Sequence, residues 1–196
     1  MKRIEITGIG RTALALGVLG ILGLSTTTAW AQTALNWQTM REVVFNSEKF
    51  SSTGTAADRA LLAQIWATQL KALDAKSKND KYPAFTLIAD VNVDSKRFVL
   101  SFFDAAGSEH CQDAANGRGA VDIYVVCDLR VSWLDGSTAH SRFVANHCML
   151  RGDNKDTPRS KNHVEYAVDT RAKTVYLRTI QYGEVVPLCN RALKLA

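Results

Sequence analysis

The chain has no Cys-x-x-Cys pair, no His-Glu-x-x-His, no Gly-x-Ser-x-Gly and no Walker-type glycine loop. Those absences remove the zinc knuckle, the zinc-hydrolase helix, the serine nucleophile elbow and the phosphate-cradling loop, each of which needs its residues at fixed spacing. No run of lysine and arginine interleaved with aromatics occurs, so nothing tracks a phosphate backbone and nucleic acid is not an expected partner. The N-terminus has no twin-arginine pair, and no cysteine stands near its small-residue triplet, which points away from the twin-arginine route and from lipid attachment. Beyond residue 31 there is no Asn-x-Ser/Thr acceptor, a pattern that leans towards a bacterial exported protein over a glycosylated one.

What is present begins with a leader. Lys2, Arg3 and Arg11 precede the apolar run TALALGVLGILGL, residues 12–24, which relaxes into STTTAWAQ. A charged start, a short apolar stretch and the triplet Ala29-Trp30-Ala31 read as a signal peptide over residues 1–31, cut before Gln32. A membrane anchor would need about 20 uninterrupted apolar residues, and Ser25 to Thr28 break the run, so no membrane span is expected after cleavage. The leader carries three of the 24 basic and one of the 19 acidic residues, leaving 21 and 18 and a formal charge of +3 on residues 32–196. That balance is an ordinary solubility feature. The 165 remaining residues suffice for one core, and no linker-like tract divides them, so a single domain is expected over 32–196.

Periodicity divides this domain in two. In LNWQTMREVVF, Trp37, Met40, Val43 and Val44 recur at helical spacing behind Asn36 as an N-cap, which predicts a short helix. A second, longer helix follows, with Thr55 and Asp58 as a capping box and Leu61, Leu62, Ile65, Trp66, Leu70 and Leu73 along one face. Trp66 reads there as core. After KSKNDKYP the period falls to two. Phe85 to Val93 and Phe98 to Phe102 form one hairpin about the turn DSK. VDIYVVCDLRVSWL and TAHSRFVANHCML form a second about Asp135-Gly136, and HVEYAVD with KTVYLRTIQYGE a third about Thr170 to Ala172. The expected fold class is therefore α+β, with two N-terminal helices before an antiparallel sheet of about six strands in three hairpins.

Two His-Cys neighbours, His110-Cys111 and His147-Cys148, raise the choice between a metal site and disulfides. Adjacent residues of a strand point to opposite faces, so such a pair can hardly ligate one ion. The four cysteines, Cys111, Cys127, Cys148 and Cys189, stand singly and are even in number, which in an exported chain predicts two disulfides and no metal or other cofactor. A two-residue Asp135-Gly136 loop would set Cys127 opposite Val144 and Cys148 opposite Ile123, roughly 13 Å apart along the ladder, too far for a bond between them. Nearest-neighbour closure, Cys111 with Cys127 and Cys148 with Cys189, is the preferred pairing. A three-residue loop would instead turn Phe143, Ala145, His147 and Met149 inward in place of Val144, Cys148 and Leu150; the first register is favoured.

No nucleophile is evident, so catalysis rests on His110, His140, His147 and His163 with scattered carboxylates such as Asp113, Asp128 and Glu165, and only geometry could join them. The long polar loop from Asp104 to Ala120, tethered at Cys111, is the expected contact surface, with Glu109, His110 and Arg118 as its partner-binding residues. The expected function is a periplasmic or secreted, non-enzymatic binding module, of inhibitor or immunity type, whose partner is another exported protein or envelope macromolecule. A small hydrolase using histidine and carboxylate and a structural component of an envelope assembly are the alternatives. The exported protein is expected to begin at Gln32, which its intact mass checks; retention of residues 1–31 contradicts the reading.

Overall fold

Strands dominate the computed structural model, which describes residues 35–45, 54–76, 84–105, 108–114, 122–135, 138–150 and 158–195. Residues 1–31, where a leader is expected, and Gln32, Gly136 and Arg118 lie outside the described residues. In chain order the elements are β1 (Gln38–Thr39), β2 (Arg41–Phe45), α1 (Ala56–Ile65), α2 (Ala67–Lys76), β3 (Ala84–Val93), β4 (Lys96–Asp104), β5 (Cys111–Asp113), β6 (Tyr124–Asp135), β7 (Thr138–Leu150), β8 (His163–Asp169), β9 (Thr174–Gln181), β10 (Glu184–Val185), a 3-10 turn (Pro187–Cys189) and β11 (Arg191–Lys194). All strand pairings are antiparallel and fall into two sheets. In the first, β1, β8 and β9 lie side by side, and β10 and β11 both pair with β9. In the second, β2, β3, β4 and β6 follow in order; β5 continues along the β4 side of β6, and β7 runs along the other side.

The α+β expectation is thereby corrected: this is a mainly β architecture of two antiparallel sheets, and both helices come from the one segment 56–76. The predicted first helix is strand. Met40 faces the core between the sheets and Val43 the helical side, so this stretch is buried on both faces and its apolar residues do not alternate. Spacings of three and four then imitate a helix, while the β-branched pair Val43-Val44 favours extended backbone. The chain changes sheets here: β1 pairs with β8, the Met40 amide donates to the Val164 carbonyl at 2.9 Å, and β2 pairs with β3.

The second helix is divided at Trp66. Thr55 caps it as expected, its hydroxyl accepting from the Asp58 amide at 3.0 Å, but the Asp58 carboxylate leaves the capping box for Arg41 on β2, at 2.7 Å. At the break Trp66 is fully buried, donates its indole N–H to Ser101 Oγ at 3.1 Å and stacks on Phe103 at 5.2 Å. The Ile65 carbonyl, the last of α1, accepts from the Arg130 guanidinium. A helix-end acceptor that finds a side-chain donor loses its reason to continue the regular ladder.

The helices cover one face of the second sheet through Leu62, Trp66 and Leu73, set against Val43, Ile88, Val99 and Phe103. The other face meets the first sheet, with Leu87, Leu100, Phe102 and Leu129 opposite Val164, Val175 and Leu177. The β3–β4 hairpin turns on Asp94 and Ser95, both with positive φ, the two-residue geometry that matches strand twist.

The β6–β7 hairpin departs from both expected registers. Asp135 pairs with Thr138 and Leu129 with Val144, but Cys127 pairs with His147 and Val126 with Cys148. One extra residue in β7, at Asn146 with φ 63°, makes a bulge that switches the faces. Val144 faces the inter-sheet core before the bulge; His147 and Met149 occupy that side after it, while Cys148 and Leu150 join Tyr124 and Cys189 in a separate cluster. Neither expected pairing is met, but each expected set of inward-facing residues holds for one half of the strand. The disulfides join Cys111 to Cys127 and Cys148 to Cys189. Cys127 and Cys148 sit only one rung apart, and what keeps them unbonded to each other is opposite facing, not the 13 Å separation first inferred.

Gly54 precedes the helix cap at φ +90°, and a Cβ there would come within 2.6 Å of Val43 Cγ2. Gly54→Ala is expected to cost on the order of 2–3 kcal/mol, from strained backbone and displacement of β2. Urea unfolding checks it: the midpoint should fall while the slope stays unchanged.

Candidate functional site

The side chains with chemistry gather on the helix-facing side of β6 and β7, around Arg130. Its guanidinium lies 5.2 Å from the Trp66 ring centre and 5.4 Å from that of Phe143, inside cation–π range. It donates to the Ile65 carbonyl and, at 3.1 Å, to Ser141 Oγ. Its Nε is buried with no partner, as is Ser132 Oγ two residues along the same strand face. Neither acceptor is a carboxylate, and burial alone pushes the Arg130 pKa below the ordinary arginine value. This cation is therefore partly dehydrated and held by neutral groups.

Beside it lies a cleft of about 590 Å³. Leu61, Gln64 and Ile65 of α1 form one wall, the 95–97 turn another, and Val99, Ser132, Leu134, Ala139 and Ser141 the floor. Lys96, Arg97 and Arg130 border it, against the single carboxylate of Asp135. Arg97 is already paired with Asp90 at 2.5 Å, which also holds Arg41 at 2.8 Å. His140 lines the same cleft, stacked on Trp133 at 5.5 Å.

Of the three residues expected to bind a partner, Glu109 and His110 are described and Arg118 is not. Glu109 is exposed. His110 instead turns inward, stacked on Phe143 at 4.9 Å and edge-on to Trp66 at 5.4 Å. Arg118 is outside the described residues. The expected loop is also interrupted, since Cys111–Asp113 is a strand on the margin of β6 and the Asp128 amide donates to the His110 carbonyl at 2.8 Å. Neither the cleft nor Arg130 was singled out from sequence; the one available signal was an arginine on the strand face that reads as polar.

Two histidines do stand beside carboxylates. His110 Nδ1 is 3.6 Å from Asp128 and its Nε2 is 3.2 Å from Gln69. His163 Nε2 lies 3.1 Å from Glu165 and its Nδ1 2.9 Å from the Arg159 carbonyl. Both ring nitrogens of His163 have a partner within hydrogen-bond distance, whereas His110 has one at Nε2 only. Glu165 is held below the usual carboxylate range: burial opposes this, but the Arg178 hydrogen bond at 2.5 Å and that from His163 outweigh it. Arg178 in turn lies 4.0 Å over the Trp37 ring, so this group joins β1, β8 and β9. The cysteines, being oxidised, offer no thiolate, and among the described residues no three His, Cys, Asp or Glu side chains converge on a possible ion site.

No protein-family model matches the chain, and neither does any curated protein or solved structure.

His147 is 4 % exposed between the sheets, 6.3 Å from Phe102, and its Nδ1 has no partner. Burial, reinforced by Arg191 and only partly offset by Asp128, pushes its pKa down to about 4. The unfolded chain takes up this proton near pH 6.5 but the folded one only near 4, so between these values the unfolded state binds more protons and stability falls as pH falls. The loss from this one group should reach roughly 2–3 kcal/mol at pH 4. Chemical denaturation from pH 7 to pH 4 checks it: His147→Leu should flatten the profile over that window while leaving the stability at pH 7 within about 1.5 kcal/mol of the parent.

Proposed function

We propose that this chain is a periplasmic or secreted binding module, non-enzymatic and of inhibitory or immunity type, that engages another exported protein. The two disulfides fit an oxidising compartment, and among the described residues no helix is long and apolar enough to cross a membrane. The observation that carries the reading is the free margin of β7. Thr138 to Phe143 are all exposed, and among the described residues β7 pairs only with β6; side chains of Arg191 and Thr179 reach its Asn146 and Cys148 carbonyls, which leaves the stretch 138–143 without a further strand partner among the described residues. An extended partner segment could add to it as a further strand, with main-chain hydrogen bonds for affinity.

The margin has features that select its partner. Arg142 makes it basic, so a second copy would bring like charge against like, while an acidic segment would be attracted. Its polar make-up, with Thr138, His140, Ser141 and Arg142, argues for a partner met from solution over a permanent apolar assembly. The occupied nitrogens of His163 favour binding over hydrolysis at that pair.

Affinity capture from the envelope and secreted fractions of the producing cell, followed by hydrogen exchange on the reconstituted complex, tests this. A stoichiometric partner should slow exchange over residues 138–144, and its binding should weaken as salt rises. Protection confined to another surface would sink the strand-addition reading.

A further inference from the structure

We propose that the cleft between α1 and the β6–β7 hairpin binds a small amphipathic anion, a medium-chain acyl carboxylate, with its head on Arg130 and Ser132 and its chain over Leu61, Val99 and Leu134. This site does not depend on strand addition at β7, which uses backbone at the margin; the cleft uses side chains that face the helix.

Three observations converge. The first is volume: about 590 Å³ lies within the range of small-molecule sites, and its lining joins apolar Leu61, Ile65, Val99 and Leu134 to polar and basic side chains. The second is unmet hydrogen bonding. Arg130 Nε and Ser132 Oγ are buried donors without acceptors, two residues apart on one face of β6. Buried polar groups are seldom left so, and an orphaned pair at the wall of a cleft marks where an acceptor belongs. The third is charge. Arg130 has no carboxylate partner among the described residues, and Lys96 and Arg97 stand at the rim, so the cleft has an excess of positive charge even after Arg97 is assigned to Asp90. Burial also disfavours the charged form of Arg130, and an anion seated against it would relieve that cost.

The apolar part has a matching shape. Leu134 is 63 % exposed, and Leu61, Ile65 and Val99 continue from it along the cleft. A hydrocarbon chain laid there would cover Leu134, which otherwise faces water. The cation between Trp66 and Phe143 would sit at the inner end of that path, already oriented by Ile65 and Ser141 and so losing little freedom on contact.

The test is titration of the whole exported protein with dodecanoate, 1-dodecanol and dodecylamine, all below their aggregation limits, read by tryptophan fluorescence and calorimetry. Dodecanoate should bind saturably with one site, the neutral alcohol about tenfold more weakly, and the cation not measurably. Ser132→Ala removes an unpartnered hydroxyl, so it should leave the melting temperature unchanged or raised while weakening dodecanoate several-fold. Leu134→Asp, at an exposed position, should keep the fold and weaken it about tenfold or more. Equal affinity for carboxylate and alcohol, tighter binding of dodecyl phosphate than of dodecanoate, or unaltered binding by both variants would each overturn the proposal. So would absence of saturable binding by the folded parent.

Discussion

Strands β3 and β4 are buried on both faces, and a sheet that is apolar on both sides must be covered twice. The rest of the architecture follows from that requirement. Along β3, Leu87, Ala89, Val91 and Val93 meet the first sheet, while Ala84 and Ile88 meet the helices. Losing either layer would return a full face of large side chains to water, at about 25 cal/mol for each Å² exposed. The helix layer is attached chiefly through Trp66, whose indole combines apolar area with a hydrogen bond to a serine buried in the sheet. Arg41 fastens the start of the same helix by holding Asp58 and Asp90 together, an arrangement that keeps the Asp58 carboxyl below its usual range.

The disulfides act at the places where this layering is weakest. Cys111–Cys127 ties the short strand β5 to the central strand at a directly opposed pair, Cα to Cα 4.0 Å. A three-residue strand has little ladder of its own to hold it. Cys148–Cys189 joins the end of β7 to the 3-10 turn before β11, and so links the two sheets at a corner away from the main core. The bulge at Asn146 makes this second bond possible, because it turns Cys148 out of the inter-sheet face that the strand served up to Val144. The same switch places His147 between the sheets, where its neutral form is preferred.

The cleft arises at the margin of the helix cover. Leu61, Gln64 and Ile65 of α1 border the open sheet face at Ser132, Leu134 and Ala139, and the Ile65 carbonyl accepts from Arg130 beside it. A cation is thus required by the fold, as a partner to the helix end, and is at the same time left without an anion. Packing with Trp66 and Phe143 stabilises its hydrocarbon and guanidinium parts but supplies no negative charge. Structure and binding capacity here share one side chain.

Sequence alone determined the elements whose signal is local. The Thr55 cap and the stripe behind it, the alternation of β3, β4, β8 and β9, and the turns read at DSK and at Thr170 to Ala172 all depend on neighbours within a few residues, and the structure turns at 94–95 and 170–173. Where a segment is buried on both sides, as at Met40 to Val44, the period disappears and a helix and a strand read alike; contact with two different layers decided for strand. The faces of β7 were decided by one bulge residue, which no alternation pattern announces, and β10 and β11 were too short to carry a period at all. The packing of His110 shows the same limit: only the approach of Trp66 and Phe143 from distant parts of the chain sets its ring against them. The charge left on Arg130 is likewise a tertiary property, since whether an arginine finds a carboxylate depends on what the fold brings within reach of it.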